Sequence, residues 1–406
     1  MEKKLKLGIL RETKSPPDRR VTIAPQQGIE FVKQFPDVEL LIQPSDIRAY
    51  SNQEYLDNQL TLQDDLSDCD ILVGVKEVDI QALMPDKTYM FFSHTGKKQS
   101  YNRKLLQKIL KKNIRLIDYE YLTDIHEMRL VAFGRWAGIV GAYNGLLAHG
   151  KKTGIFSMRR AHECVDMDEF FAELMKIKLP PLRILITGGG RVAHGAIEVL
   201  SPLNIRKISP HRFLNRDYEY PVYCQLDPWH YTKRKDGDIF DFEHFIKNPF
   251  EYDPAFLPYT KRTDLFIACH FWDPQSPVFM TANDMKADDF SISIIADVSC
   301  DIKIPIPSTL RASSIAEPYY DYNPISQKEE KPFSSKNNVT VMAVDNLPGE
   351  APRNASIDFG KGLIKKVFPS LLYDDKDEII KRATITENGK LTDRYAYLQD
   401  YVDGKE

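Results

Sequence analysis

Apolar and polar residues are grouped along the first third of this chain in a way that predicts strands alternating with helices. Segments with the helical spacing of apolar residues lie at residues 28–34 and 98–112. Short apolar runs of strand length lie at residues 5–10, 38–42, 70–75, 88–92, 114–117 and 131–133. Strands that alternate with helices are typical of a mostly parallel sheet covered by helices on both faces. We therefore predict an α/β fold.

The second part of the chain repeats this alternation around one glycine-rich segment, LRILITGGGRVAHGAIEVL, at residues 182–200. A strand at residues 183–187 leads into three glycines and then into a helix. Gly188, Gly190 and Ala193 fit the dinucleotide fingerprint, in which small residues let backbone amides approach a pyrophosphate at the start of a helix. A glycine turn between a strand and a helix is also often only a connection, so both interpretations stay open at this point.

The segments around this turn continue the pattern. Residues 134–150 predict a helix rich in small residues, which allow close packing against a neighbouring helix. Residues 211–262 are dense in Tyr, Pro and charge and predict an irregular stretch. Further strands are predicted at residues 205–209, 264–270, 293–299 and 339–344, and further helices at residues 352–372, 375–382 and 394–402.

The end of the second strand in such a unit selects between NAD and NADP. A carboxylate there bonds the ribose 2′-hydroxyl of NAD and repels the 2′-phosphate of NADP. The sequence places Ser209 at that position, with Arg212 close by. The missing acid beside an arginine favours NADP, whereas NAD stays open if Arg212 only begins a solvated loop.

Composition narrows the class of protein. A length of 406 residues predicts two domains, and 42% apolar with 28% charged residues is typical of soluble proteins. A net charge of −3 shows no general bias towards nucleic acid or anionic membrane. The five cysteines and nine histidines lack metal-ligand spacing, and no apolar run approaches the ~20 residues that span a bilayer. We expect a cytoplasmic protein with reduced thiols and no bound metal.

Several longer runs carry a resemblance to a known family. The chain resembles the lysine–2-oxoglutarate reductase and saccharopine dehydrogenase (L-lysine-forming) group, within the alanine dehydrogenase and transhydrogenase-like superfamily. The resemblance extends over nearly the whole chain. The runs that carry it are LLIQPSDIRAY, ILVGVKE, KTYMFFSHTGKKQ, IRLIDYEYL, VAFGRWAGIVG, DLFIACHFWDPQSP, IADVSCD, VMAVDNLPGEAP and ATITENGKL.

This resemblance implies two Rossmann-like doubly wound parallel-sheet domains with the active site in the cleft between them. The substrate domain would comprise residues 1–134 plus 350–406, and the dinucleotide-binding domain residues 135–349. The family joins the ε-amine of L-lysine to the ketone of 2-oxoglutarate and reduces the imine to saccharopine with a nicotinamide cofactor, or runs the reverse.

The resemblance also implies roles for individual residues. Lys76 and His94 would be the catalytic acid–base pair. Substrate contacts would be Arg20, Gln99, Phe133, Ser299, Cys300 and Asp301. Cofactor contacts would be Gly190, Arg191, Phe271, Val298, Val344, Asp345, Asn346 and Leu347, to which the pattern above adds Gly188, Ser209 and Arg212.

The chemistry of imine formation agrees with these residue types. The amine must lose a proton to attack and the carbinolamine oxygen must gain one to leave, so an acid and a base near neutrality are needed. An imidazole such as His94 titrates in that range, and Lys76 would need its pKa lowered by burial or by neighbouring cations. Glu120 could pair with either group and tune it.

The substrates and the remaining alternatives follow from the same residues. Saccharopine carries three carboxylates, so a basic lining is expected from Arg20, Lys97 and Arg129. We expect small-molecule partners, and a homo-oligomer is compatible with this plan. Two other functions stay open: an alanine-dehydrogenase-like enzyme that uses ammonia, and a catalytically silent dinucleotide-binding sensor.

Overall fold

The computed structural model describes residues 4–405, and the chain divides into two compact units. Unit 1 comprises Met1–Phe133 and Pro352–Glu406, and unit 2 comprises Gly134–Ala351.

The strands found in the described residues are, in chain order, β1 (Leu5–Ile9), β2 (Val38–Ile42), β3 (Thr61–Leu62), β4 (Ile71–Val73), β5 (Thr88–Phe91), β6 (Arg115–Asp118), β7 (Arg183–Thr187), β8 (Arg206–Lys207), β9 (Val222–Leu226), β10 (Thr232–Arg234), β11 (Tyr252–Pro254), β12 (Leu265–Ala268), β13 (Ile294–Asp297), β14 (Tyr319–Asn323), β15 (Lys328–Glu330), β16 (Val339–Met342), β17 (Thr384–Glu387) and β18 (Lys390–Leu391).

The α-helices of the same residues are α1 (Pro25–Gln34), α2 (Asn52–Asp57), α3 (Arg103–Lys111), α4 (Gly134–Thr153), α5 (Met167–Leu174), α6 (Arg191–Leu200), α7 (Pro210–Asn215), α8 (Pro228–Tyr231), α9 (Phe242–Lys247), α10 (Leu257–Thr260), α11 (Pro352–Gly362), α12 (Phe368–Leu372), α13 (Ile379–Ala383) and α14 (Gln399–Asp403). A π-helical turn, Leu363–Val367, joins α11 to α12.

Unit 1 is built on a sheet that, within residues 4–405, has eight strands in the order β18-β17-β6-β5-β4-β1-β2-β3. Its strands from β6 to β3 are parallel, and β17 is added antiparallel to β6. The central strands are apolar and buried on both faces, as β4 (ILV) shows, because helices cover both sides. In the strand order, β2 lies on one side of β1 and β4 lies on the other. A topological switch point therefore lies between β1 and β4.

Unit 2 has a second sheet, in which the described strands follow the order β8-β9-β7-β12-β13-β16-β14-β15. The strands from β8 to β16 are parallel, whereas β14 and β15 are antiparallel additions. β7 and β12 are neighbours although β8, β9, β10 and β11 lie between them in the chain. This sheet therefore has its own switch point between β7 and β12. The α/β prediction with two Rossmann-like doubly wound sheets is confirmed.

Three local predictions were wrong. Residues 131–133 form no strand; Val131 instead packs against Gly362. The helix predicted over residues 98–112 begins only at Arg103, after two short 3₁₀ turns. The stretch at residues 211–262 is not irregular throughout, because it contains the parallel strand β9 next to β7.

The helix predicted over residues 134–150 is confirmed as α4, which is buried over most of its length. It crosses α6 at Gly138 of α4 and Gly195 of α6. A Cβ added to Gly138 would lie 1.8 Å from the backbone oxygen of Val192, and one added to Gly195 would lie 2.0 Å from that of Arg135. The two helix backbones are therefore in direct contact, and this contact positions the helix that follows the glycine turn.

Candidate active site

The topology of unit 1 brings two loops together at the carboxyl end of its sheet. β1 and β4 are adjacent parallel strands on either side of the switch point. The loop after β1 carries Glu12, Asp18 and Arg20, and the turn after β4 carries Lys76. Ligands of doubly wound sheets bind at such a place. The pattern of strand ends alone therefore selects this part of unit 1 as a candidate site.

The turn that presents Lys76 is held by Glu12. The buried carboxylate accepts hydrogen bonds from the backbone N–H groups of Val75, at 2.6 Å, and Lys76, at 2.9 Å. Burial raises the pKa of Glu12 to about 7, although these two hydrogen bonds act in the opposite direction. The position of the Lys76 backbone thus depends on a carboxyl group that titrates near neutral pH.

The Lys76 amine has a lowered pKa. Burial is the main cause, and the positive charges of Arg20 and Lys14 act in the same direction, partly opposed by the carboxylates of Asp18 and Glu77. A lower pKa increases the fraction of neutral amine at physiological pH. This direction favours proton transfer by the side chain.

Arg20 is buried and held rigidly. Its guanidinium donates to Asp18 through Nη2 to Oδ2 at 2.6 Å and through Nε to Oδ1 at 3.0 Å. It also lies 4.2 Å from the centroid of the Phe133 ring, which itself stacks on Phe359 at 4.5 Å. Burial by itself would raise the pKa of Asp18, but the charge and hydrogen bonds of Arg20 lower it. Two predicted substrate residues, Arg20 and Phe133, are thus in contact.

His94 follows β5, the neighbour of β4. The Phe92 N–H donates to Val75 O at 3.0 Å, which keeps the two strand ends level. The Nδ1 atom of His94 lies 2.7 Å from Glu77 Oε1, and Lys14 contacts the other oxygen of that carboxylate at 2.8 Å. Burial would raise the pKa of Glu77, but these two hydrogen bonds lower it to about 2.

This contact defines the state of the imidazole. Glu77 is ionised at neutral pH and can only accept, so Nδ1 of His94 carries the proton and Nε2 is the nitrogen available to a ligand. Lys76 and Glu77 are consecutive, so the same turn supplies the candidate base and the partner of His94. Sequence analysis did not select Glu77, although its place beside Lys76 was the available signal.

Glu120 has a different role from the one expected. Its Oε1 atom lies 2.8 Å from Lys97 Nζ and 2.6 Å from Arg129 Nη2. Burial would raise the pKa of Glu120, but the hydrogen bonds and charges of Lys97 and Arg129 lower it. The structure therefore pairs the two predicted cations, Lys97 and Arg129, with Glu120. The carboxylate that contacts His94 is Glu77 instead. The amide of Gln99 is engaged by the hydroxyl of Tyr101.

The glycine turn of unit 2 has the geometry that an anion requires. Gly188 has φ +95°, and a Cβ there would lie 2.7 Å from the backbone oxygen of Cys269. No heavy atom of the described residues lies within 4 Å of a Cβ added to Gly190, which precedes the first turn of α6 without a side-chain cap. Exposed backbone amides at a helix start and open space above them fit a pyrophosphate.

The sequence-based position for cofactor selection was wrong. Ser209 follows β8, an edge strand that β9 separates from β7. Its hydroxyl caps α7 by accepting from the Arg212 N–H at 3.4 Å. On the side of β7 where β8 and β9 lie, the strand next to β7 is β9, and the residue after β9 is Asp227. Ser209 does not end the strand next to β7, so its missing acid gives no argument for NADP.

The loop after β13 is organised by the buried Asp297. This carboxylate accepts from Ser299 Oγ at 2.6 Å, from the Cys300 N–H at 3.0 Å and from Thr309 Oγ1 at 2.6 Å. Cys300 has φ +56°, and its thiol donates to Ala343 O at 3.2 Å. Burial and the charge of Asp297 raise the pKa of Asp301 to about 6. Asp297 holds two predicted site residues, Ser299 and Cys300, but was not itself predicted.

The remaining predicted cofactor residues also lie at strand ends of unit 2. Val298 follows β13, and Phe271, with 91% of its surface exposed, lies three residues after β12. Residues 344–347 follow β16. These positions share the carboxyl edge of the sheet with Gly188, Gly190 and Arg191, whereas Ser209 and Arg212 follow the outermost strand, β8.

Residues 4–405 contain no group of three or more His, Cys, Asp or Glu side chains that could hold a metal ion. In the same part of the chain, no helix has the length and apolar character needed to cross a membrane.

Comparison with known proteins gives three findings. Residues 8–140 match the family model for the alanine dehydrogenase/PNT N-terminal domain. The chain is 29% identical to alpha-aminoadipic semialdehyde synthase, mitochondrial, of Mus musculus, over 98% of this chain and 48% of the relative, so it spans about half that length. It is 24% identical to saccharopine dehydrogenase [NAD(+), L-lysine-forming] of Yarrowia lipolytica, over 91% and 92% of the two chains.

A solved L-alanine dehydrogenase shares the fold, with a TM-score of 0.66 and 14% identity over 99% of this chain and 100% of the other. The resemblance that the sequence indicated is confirmed. The chain is similar to alpha-aminoadipic semialdehyde synthases and saccharopine dehydrogenases, and its residues 8–140 match the family model for the alanine dehydrogenase/PNT N-terminal domain.

Proposed function

We propose that this chain is an oxidoreductase that forms saccharopine from L-lysine and 2-oxoglutarate, or cleaves it, with NAD(H) or NADP(H) as cofactor. The names of its relatives support the substrate class. The glycine turn before α6 supports a dinucleotide, since its geometry fits a pyrophosphate.

The observation that carries this proposal is the pair of proton-transfer groups on adjacent strand ends of unit 1. Lys76 has a lowered pKa, and His94 is fixed by Glu77 with Nε2 available. Joining an amine to a ketone needs one group that removes a proton and one that delivers it. This pair supplies both.

In the forming direction, neutral Lys76 accepts a proton at Nζ from the incoming ammonium group, which then attacks the ketone. Once the C–N bond has formed, the positively charged amine nitrogen gives a proton to Nε2 of His94. Glu77 stabilises the resulting imidazolium. Nε2 of His94 returns this proton to the alkoxide oxygen, which gives the neutral carbinolamine. Protonated Lys76 then delivers the second proton to the hydroxyl, which leaves as water and gives the protonated imine. When bound, the nicotinamide would supply the hydride that reduces the protonated imine. Cleavage uses the same groups in reverse.

The substrate carboxylates require cations of fixed orientation. We propose Arg20, Lys97 and Arg129 for this role. Asp18 orients the first, and Glu120 orients the other two. The other proposed substrate contacts are Gln99, Phe133, Ser299, Cys300 and Asp301. The proposed cofactor contacts are Gly188, Gly190, Arg191, Phe271, Val298, Val344, Asp345, Asn346 and Leu347.

The test is oxidation of the reduced dinucleotide by the purified chain with L-lysine and 2-oxoglutarate. We expect turnover only when both substrates are present. Lys76→Met and His94→Gln should each lower kcat by about 100-fold or more, the usual contribution of one acid or base. Matched controls are Lys104→Met and His126→Gln, which change exposed residues of the same unit and should stay within about twofold of the native rate.

Other outcomes would redirect the proposal. Turnover with ammonia and pyruvate in place of the lysine pair would assign an alanine-dehydrogenase-like reaction. Dinucleotide binding without turnover on any amine and oxo-acid pair would assign a sensor. Full activity in both site variants would exclude the proton-transfer roles of Lys76 and His94.

A further inference from the structure

A cavity of about 470 Å³ opens on unit 1 between α1, α2 and α11. Pro25, Tyr50 and Ile357 give it apolar walls, and polar and charged side chains line the rest. The Gln27 amide donates to Ile357 O at 2.7 Å, which holds α1 and α11 together beside the cavity. The volume lies in the range of small-molecule sites, about 300–1,000 Å³. None of the described residues that line it belongs to the candidate active site.

Helix α11 has the cavity on one side and the ring of Phe133 on the other. Arg353, Ile357 and Lys361 are four residues apart and form one stripe along the cavity. Phe359 lies on the opposite side of the helix, where its ring stacks on that of Phe133 at 4.5 Å. The cavity is therefore separate from the place where Phe133 contacts Arg20.

One pair of charges in the cavity wall is already satisfied. Arg353 Nη2 donates to Glu54 Oε1 at 2.6 Å, and the guanidinium lies 4.2 Å from the centroid of the Tyr50 ring. The Tyr50 hydroxyl donates to Arg353 O at 3.0 Å. These three side chains form a fixed wall whose charges balance without a ligand.

The other charges of the cavity have no partner among residues 4–405. They are two exposed cations, Lys361 and Lys365, and one exposed anion, Glu30. The two lysines are four residues apart, so their side chains are neighbours, about 5–6 Å apart at Cβ. Lys365 belongs to the π-helical turn Leu363–Val367, and such turns are frequent at functional sites. Two cations and one anion thus line the same cavity.

We propose that this cavity binds an α-amino acid that carries a second carboxylate. The two carboxylates of such a ligand match Lys361 and Lys365, and its ammonium group matches Glu30. Its methylene groups would lie against Pro25 and Ile357. Each exposed ion pair is weak by itself, so selectivity comes from three charges that act together on one ligand. The inference goes beyond the proposed function, because these residues take no part in the proposed reaction.

The test is calorimetric titration of the purified full chain with L-glutamate, without dinucleotide or oxo acid. We expect saturable binding of one ligand per chain. The double variant Lys361→Ala/Lys365→Ala should raise the dissociation constant by at least about tenfold, and Glu30→Gln should raise it by about threefold. Glutarate lacks the ammonium group, so Glu30→Gln should not weaken its binding.

The matched control is Lys366→Ala. It removes an exposed cation of the same π-helical turn that does not line the cavity, and it should leave the dissociation constant unchanged. Binding of L-glutamate that persists in the folded double lysine variant would lie elsewhere on the chain and would overturn the inference. No binding by the native chain at millimolar L-glutamate would overturn it as well. Neither result affects the proposed function, which the turnover assay tests separately.

Discussion

The crossing of α4 and α6 gives a prediction that the structure defines in detail. Gly138 of α4 faces the backbone of α6, and an added Cβ would lie 1.8 Å from Val192 O and 2.8 Å from Ala196 N. Both partners are backbone atoms, so no side-chain rotation can relieve the overlap. Gly138→Ala must therefore move one helix away from the other.

The size of the effect follows from this distance. Reaching an ordinary contact of 3.4 Å requires a separation of about 1.6 Å. Overpacking costs about 1–3 kcal/mol, and a contact with backbone belongs at the upper end. The better helix propensity of alanine returns about 1 kcal/mol. The net loss of about 2 kcal/mol should lower the Tm of unit 2 by about 4–8 °C.

Calorimetry of the full chain, together with NADH titration, checks this prediction. The affinity for the proposed dinucleotide cofactor should also fall, because α6 follows the glycine turn and moves with it. Gly134→Ala is the control in the same helix. Its added Cβ would lie 3.4 Å from a flexible methyl of Val192, so the Tm should stay the same or rise slightly. A Gly138→Ala variant with native Tm would refute the argument that the two backbones are in direct contact.

Three further predictions concern buried carboxylates. Burial raises the pKa of Glu12 from 4.5 to about 7, so its stabilisation is present below about pH 4.5 and lost as the pH rises through about 7. The native chain should lose up to about 3 kcal/mol of unfolding free energy over this range, and urea unfolding of Glu12→Gln should lack this loss. Glu77 behaves in the opposite way, since its pKa is lowered to about 2. Its stabilisation is present above pH 4.5 and lost as the pH falls towards 2, so Glu77→Gln should be less stable by about 1–2 kcal/mol at pH 7, after allowance for solvent screening, with no difference near pH 2. Thr309→Val removes one hydrogen bond to Asp297 and should cost about 2 kcal/mol in thermal unfolding, and no loss would show that this bond does not hold the loop after β13.

Local pattern was sufficient for many elements of the fold. The run at residues 183–187 was predicted with the observed bounds of β7, because its middle residues, Ile184–Ile186, are apolar and buried and the glycines that follow end the strand. The strand ends that carry Lys76 and His94 were identified for the same reason. β9 was missed because Pro221 and Pro228 flank a short run, which then resembles part of a loop.

The candidate site shows where local pattern is insufficient. Glu120 was the expected partner of Lys76 or His94, since it also follows a strand of the same sheet. In space, Glu120 pairs with Lys97 and Arg129, and Glu77 reaches His94 from the adjacent strand end. The position of Glu77 beside Lys76 was a signal in the sequence, but only the adjacent strand ends show which carboxylate reaches His94.

By itself, then, the amino-acid sequence determined the α/β alternation, the small-residue helix α4, the glycine turn and the polar residues at the ends of apolar strands. All of these follow from burial and backbone preferences within a few neighbouring residues. Only the tertiary structure decided which strands lie side by side, and hence that Glu77 contacts His94 and that Asp227, rather than Ser209, stands beside the glycine turn. The physical reason is that neighbours in a parallel sheet are joined by long crossovers, so residues distant in sequence determine which side chains meet.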